Sequence, residues 1–184
     1  MEVAQPREGI FVSQRKYTLD LLKETGMLGC RPSSTSMDCK KKFAREEGGV
    51  PVEKGRYQRL VGKLIYLSHT RPDIGFAVIT MCQFMNNPIE EHMEAVYQIL
   101  RYLKRTPRKG ILFRKTDCQD VTLYSDADWV GSQIDSRSTT GYCSFVWGNL
   151  VTWRSNKQSV VSRSSAESEL RALAVTICEE IWIR

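Results

Sequence analysis

The spacing of apolar residues changes period near Pro107 and Gly110, and that switch limits what the chain can fold into. Before it, apolar positions recur at helical intervals. Ser13 is placed to cap a helix running to Thr25, with Gly26 at its end and Tyr17, Leu21 and Leu22 on one face. A second helix is predicted over 54–68, where Tyr57, Leu60, Val61, Leu64, Ile65 and Leu67 recur. Two more start at Pro72, running toward Phe84, and at Pro88, running to Arg105. Asp73, Glu90 and Glu91 at their starts, and Lys104 and Arg105 at the end of the last, match the helix dipole. Residues 30–52, rich in Ser, Pro, Lys and Gly, read as a connecting loop.

After the switch the pattern is that of strands. Ile111–Phe113, Val121–Ser125, Tyr142–Trp147 and Leu150–Trp153 are the candidates, the last two joined as a hairpin at Gly148-Asn149. Ser164 then caps a helix to about Ile183, with an apolar stripe of Leu170, Leu173, Ala174, Ile177 and Ile181. The fold class is therefore α+β: a mostly helical part over 1–117, then a smaller mixed part over 118–184.

Charge separates the same two parts. The 184 residues carry a net +6, but 118–184 hold six Lys/Arg against eight Asp/Glu, leaving a net +8 for 1–117. A basic body beside an acidic patch suits a polyanion binder with a metal site. Lys40-Lys41-Lys42 reads as a solvated run. The six cysteines form no C-x-x-C pair and there are only two histidines, so zinc is not expected. No apolar stretch approaches the ~20 residues that span a bilayer. With no secretory pattern at the start, a cytoplasmic or nuclear protein with reduced thiols is expected.

The candidate chemistry lies in two acidic segments. Leu123-Tyr124-Ser125-Asp126-Ala127-Asp128-Trp129 carries an acid at the end of an apolar strand, and Ser164-Ser165-Ala166-Glu167-Ser168-Glu169 carries acids at the opening of a helix. Carboxylates that converge from two such elements repel unless a divalent cation lies between them, so the pair reads as half of a Mg²⁺ site acting on phosphates. Asp128 shares a strand face with Asp126 or serves as a turn acid before Gly131. Glu167 and Glu169 lie about 200° apart on a helix and cannot both face one metal. Glu167, nearest the helix start, suits the dipole, so Glu169 is favoured over it for the metal, with Glu167 as the competing acid.

Several segments together carry a family resemblance. Gly9-Ile10-Phe11-Val12-Ser13-Gln14-Arg15-Lys16-Tyr17, Tyr57 to Leu67, Thr70-Arg71-Pro72-Asp73-Ile74 and Ile99 to Lys104 resemble the end of the palm and the thumb and connection region of a copia-type retrotransposon reverse transcriptase. Tyr124 to Trp129, Arg137-Ser138-Thr139-Thr140-Gly141-Tyr142, Trp153 to Gln158 and Ser164 to Glu169 resemble the first part of its ribonuclease H domain. They occur in the family's order along nearly the whole chain.

The resemblance implies a thumb and connection segment followed by an incomplete ribonuclease H-like domain of three antiparallel strands and its first helix. It implies hydrolysis of the RNA strand of an RNA–DNA hybrid by two Mg²⁺ ions (Mn²⁺ as substitute), with Asp126 bridging both and Glu169 holding one. Arg137, Ser138, Thr139, Lys157, Gln158, Ser164 and Ser165 become candidate hybrid contacts, with Lys63, Arg101 and Lys104, joined by Arg59 and Arg105, as duplex contacts of the helical part. The family's Tyr-x-Asp-Asp hairpin is missing from this sequence, and two of the four nuclease acids of the family lie beyond it. The implied partners are an RNA–DNA hybrid or other nucleic acid duplex and the upstream palm and downstream ribonuclease H segments of a Pol polyprotein. Taken alone, this polypeptide is expected to be no polymerase and a poor or inactive nuclease. The competing expectations are a nucleic-acid-binding remnant without chemistry and an inert relic.

Overall fold

The computed structural model describes residues 1–38, 41, 43, 49–131 and 135–183. It is a mixed α and β chain that divides into two compact units, Met1–Leu112 and Phe113–Arg184. Of the lysine triplet, Lys40 and Lys42 lie outside the described residues, while Lys41 pairs with Glu91 at 3.0 Å.

The first unit opens with two short strands, β1 (Glu2–Ala4) and β2 (Gly9–Ser13), paired antiparallel with Glu2 opposite Ser13. Four helices follow: α1 (Arg15–Glu24), α2 (Lys54–Ser68), α3 (Pro72–Cys82) and α4 (Glu90–Arg105). Strand β3 (Gly110–Arg114) then lies beside β2 and completes a three-stranded sheet in the order β1-β2-β3. Close strand approach requires a glycine at 110, because a Cβ there would sit 2.2 Å from the Val12 carbonyl oxygen.

The helical spacing read from the sequence yields most of the buried stripe of α2: Tyr57, Val61, Leu64 and Leu67 are fully enclosed and Leu60 is buried, whereas Ile65 is 37% exposed. They meet Ile74, Val78 and Met81 of α3 and Val96, Ile99, Leu100 and Leu103 of α4 in one apolar cluster. Each such aliphatic side chain stabilises the fold by about 1.5–3 kcal/mol relative to exposure. The Tyr57 hydroxyl is satisfied inside this cluster by the Met81 carbonyl at 2.9 Å. Gly26, at φ 70°, ends the first helical segment as expected, and the Thr25 hydroxyl donates back to the Leu21 carbonyl. The predicted cap Ser13 belongs instead to β2. Gln14 occupies the cap position, without a side-chain cap bond, because Ser13 is still paired to Glu2. Gln14 is 2% exposed, and neither its Nε2 nor its Oε1 finds a hydrogen-bond partner.

The second unit is a three-stranded antiparallel sheet, β4 (Val121–Asp128), β5 (Thr139–Val146) and β6 (Asn149–Lys157), in that spatial order, with α5 (Ser165–Ile183) packed on it. The β5–β6 loop is Trp147-Gly148, one residue earlier than the sequence suggested, since Val146 faces Asn149. Both loop residues have positive φ, 52° and 72°, the twist that a two-residue hairpin requires.

The outward face of α5 departs from expectation. Leu170 is 67% and Ile181 71% exposed, and Leu173 and Ile177 are nearly half exposed. The buried positions are Ser168, Ala172 and Thr176. Small side chains let the helix backbone approach the strands, so the apolar stripe that periodicity picked out is the solvent side. Most of the unit's other enclosed side chains are hydroxyls and amides: Ser138, Thr140, Ser144, Gln158 and Ser162.

Candidate functional site

Strand β4 alternates strictly: Leu123, Ser125 and Ala127 are half-buried, while Thr122, Tyr124, Asp126 and Asp128 are exposed. In register with them lie Ser144, Tyr142 and Thr140 for the first set and Gly141 opposite Asp126. The Tyr142 hydroxyl donates to Glu179 Oε2 at 3.2 Å, which marks this face as the one covered by α5. Asp126 and Asp128 therefore project from the other face. The sequence placed Asp126 at a strand tip. The observed strand runs two residues further, because Thr139 and Gly141 of β5 still pair with Asp128 and Asp126. The Asp128 carbonyl accepts the Gly131 N–H at 3.3 Å, so Asp128 also opens the turn that follows.

The start of α5 is built by its own residues. Ser164 Oγ accepts the Glu167 N–H at 3.2 Å, and Glu167 Oε2 accepts the Arg163 N–H at 2.8 Å. This reciprocal pattern satisfies donors that a helix start leaves free. Arg171 donates to Glu167 Oε1 at 2.8 Å, and this bond, with that from the Arg163 backbone, pulls the Glu167 carboxyl below the usual range. Glu167 is thus engaged along its own helix.

Glu169 points elsewhere. Its Oε1 accepts the Ala127 N–H at 3.4 Å. Backbone groups of successive strand residues point to opposite edges, so the Ala127 N–H belongs to the edge of β4 that faces away from β5. The structure thus brings the Glu169 carboxylate to the peptide that joins Asp126 to Ala127. One carboxylate arrives at the open edge of β4 and the other springs from its outer face at the neighbouring residue.

The remaining candidates divide by burial. Ser138 and Gln158 are enclosed, at 0% and 8% exposure, and their polar atoms are used inside the unit. Ser138 Oγ accepts the Val130 N–H at 3.3 Å. Gln158 Nε2 donates to Thr140 Oγ1 at 3.0 Å and to the Ser168 carbonyl at 2.9 Å, and its Oε1 accepts Ser162 Oγ at 2.9 Å. Such side chains are not available to a duplex, a correction to their assignment as contacts. The signal that separates them from surface polar residues is tertiary, since each lies in a segment without a periodic apolar pattern. Arg137 and Lys157 both face Asp135, at 3.7 and 3.2 Å. Thr139 begins β5, Ser164 caps α5 and Ser165 is exposed. In the first unit Lys63 pairs with Glu24, Arg101 pairs with Glu94, and Lys104 donates to the Cys30 carbonyl. Arg56, Arg59 and Lys63 of α2, with Glu24, Thr25 and Leu60, line a cleft of about 310 Å³.

As a metal site the acidic pair offers hard oxygen donors of the kind Mg²⁺ takes, but too few. Among the described residues no group of three or more His, Cys, Asp or Glu is arranged to hold a metal ion. Mg²⁺ demands near-octahedral oxygen geometry, and two carboxylates leave most of that shell to water. Among the described residues no helix is long and apolar enough to cross a membrane.

No family model and no solved structure matches the chain. Curated proteins do, and they define its class as that of retrovirus-related Pol polyproteins of transposons. Over 183 residues the chain is 42% identical to the Pol polyprotein of transposon RE1 and 40% identical to that of RE2, both from Arabidopsis thaliana. It is 39% identical over 174 residues to the uncharacterized mitochondrial protein AtMg00810 of the same plant, of which it covers 72%. The chain belongs to the copia-type retrotransposon Pol family. All of it is matched in RE1 and RE2, yet it spans only 12% and 13% of their lengths.

Proposed function

We propose that the unit Phe113–Arg184 is the opening part of a ribonuclease H-like domain, and that in an intact Pol polyprotein it contributes Asp126 and Glu169 to hydrolysis of the RNA strand of RNA–DNA hybrids. The observation that carries this reading is the bond from the Ala127 N–H to Glu169, which brings a helix carboxylate to the peptide that follows Asp126. Two Mg²⁺ ions would supply water activation and charge stabilisation in that reaction. Asp126 and Glu169 would hold them together with acids from other parts of the polyprotein. Met1–Leu112 corresponds, on this reading, to the thumb and connection region of the reverse transcriptase.

The chain by itself is then no polymerase and a poor nuclease, since its two carboxylates do not complete a metal shell. The test is cleavage of a labelled RNA–DNA hybrid in Mg²⁺ or Mn²⁺ by this chain, by a longer Pol segment that contains it, and by both with Asp126→Asn or Glu169→Gln. The expected result is no cleavage by the chain alone and metal-dependent cleavage by the longer segment that either substitution abolishes. Cleavage by the longer segment that survives both substitutions overturns the reading.

A second reading rests on the cleft of α2, whose three cations line one helix face at positions 56, 59 and 63. A helical body that grips a duplex through phosphates without chemistry would bind hybrid with an affinity that falls steeply with salt. Arg56→Gln with Arg59→Gln weakening that binding supports this reading, and salt-independent or absent binding removes it.

A further inference from the structure

The buried amide of Gln158 sits between α5, which carries Glu169, and β5, the strand paired to the β4 that carries Asp126. Through Nε2 it joins Thr140 on β5 to the Ser168 carbonyl on α5. Thr140 is the register partner of Ala127, and Ser168 directly precedes Glu169. Through Oε1 it receives the Ser162 hydroxyl, and its own N–H donates to the Ser138 carbonyl at 2.8 Å. Ser162 in turn offers its carbonyl to the Trp129 indole N–H at 3.1 Å. One side chain thus ties the residue opposite Ala127, the residue before Glu169, and the loop that leads into α5.

We propose that Gln158 is the positioning residue that sets the reach of Glu169 to the Asp126-Ala127 peptide. This rests on the ribonuclease H reading for its purpose. The contact itself can be measured without any nuclease activity, so the two can fail separately.

The argument is one of distance and satisfaction. Glu169 lies early in α5, and the helix face there is held by the small residues Ser168 and Ala172, so the height of its first turns over the sheet is not set by large side chains of the helix. Gln158 spans the gap with two donated bonds near 3 Å and is itself enclosed, so both ends are bound in a medium where an unmet amide is costly. If the strut is removed, α5 still caps at Ser164 and still lies on the sheet, but nothing specific fixes the first two turns against Thr140.

The test uses the whole 184-residue chain and follows single backbone amides by NMR. Ala127 is the reporter: its N–H lies on the open edge of β4 and takes Glu169 as acceptor. Glu169→Ala defines the exchange rate of an Ala127 amide that has lost this partner. Gln158→Met keeps the volume and removes the amide. The expected result is that Gln158→Met accelerates Ala127 exchange about tenfold, to the level of Glu169→Ala, with no further effect in the double variant. Ladder amides where β5 and β6 pair at Ser144 and Thr152 keep their protection, which a general loss of stability would not allow. Thr140→Ser, which retains a hydroxyl for Gln158, keeps Ala127 exchange slow where Thr140→Val does not. Unchanged Ala127 exchange in Gln158→Met, or acceleration matched by every ladder amide, overturns the proposal.

Discussion

Arg71 clamps Asp73 through two bonds of 2.8 Å, Nε to Oδ1 and Nη2 to Oδ2, with the Arg71 side chain only 2% exposed. The rest of the guanidinium reaches α4, donating to the Thr106 carbonyl at 2.9 Å and to Thr106 Oγ1 at 2.8 Å. Tyr102 adds its hydroxyl to Asp73 at 2.7 Å. One pair, a buried arginine and a partly buried aspartate, thus fastens the start of α3 to the end of α4.

Acid should loosen this clamp. Burial pushes the Asp73 carboxyl upward, but the bonds from Arg71 and Tyr102, with the charges of Arg71 and Lys109, outweigh it and hold the pKa at about 2. A carboxyl depressed on folding stabilises the native state above its unfolded pKa of about 4 and loses that contribution as pH falls through its folded value. Its full size is about 2 kcal/mol. Denaturant midpoints from helical circular dichroism between pH 5 and 2 should fall for the native chain. Asp73→Asn should be less stable at neutral pH and lose less across that window. Equal slopes would show that Asp73 is not the titrating group.

Removing the other half of the pair is more severe. Arg71→Met leaves the half-buried Asp73 with only the Lys109 ammonium at 3.5 Å, and breaking such a pair costs about 3 kcal/mol. Chemical denaturation of the helical unit measures it. A loss under about 1 kcal/mol would mean that water replaces the guanidinium.

The inverted burial of α5 gives opposite outcomes on its two faces. Ala172→Leu inserts bulk where the helix meets the strands and should cost about 1–3 kcal/mol. Leu170→Ser, on the exposed stripe, should change stability by no more than about 0.5 kcal/mol. Thermal melts of both variants decide it, and the reverse ranking would mean that the helix buries its leucines.

Trp147 holds a left-handed conformation that costs a bulky residue about 1–2 kcal/mol. Trp147→Asn keeps the backbone N–H that bonds the Asp120 carbonyl at 2.9 Å and relieves the strain. The hairpin unit should gain about 1 kcal/mol in denaturant titration. A loss would show that the half-exposed indole contributes packing greater than the strain.

Gln14→Met should also stabilise, by about 1 kcal/mol, because it exchanges two buried polar atoms without partners for an apolar side chain of similar size. A destabilised variant would show that an ordered water satisfies the amide.

Much of the architecture was legible in residue order. Pro72 and the charges around α4 marked helix ends because they act through the backbone of their own turn. The α2 spacing marked its buried face because one uniformly apolar stripe had one place to go. Asp126 was legible as a strand acid but not as an interior one, since β4 continues only as far as β5 gives it partners. Ser138 and Gln158 entered as contacts through the family resemblance, and a polar residue in a loop carries no local sign of being enclosed that would have removed them.

The sequence alone determined the period of each element, the helix and hairpin signals and the membership in the copia-type Pol family, all properties of neighbours along the chain. The tertiary structure decided which face of α5 is buried, at which edge Glu169 meets β4, and that Gln158 lies inside. Periodicity states which side chains share a face. Which face is covered depends on how closely another backbone can approach, and here Ser168, Ala172 and Thr176 admit the sheet where the leucines do not.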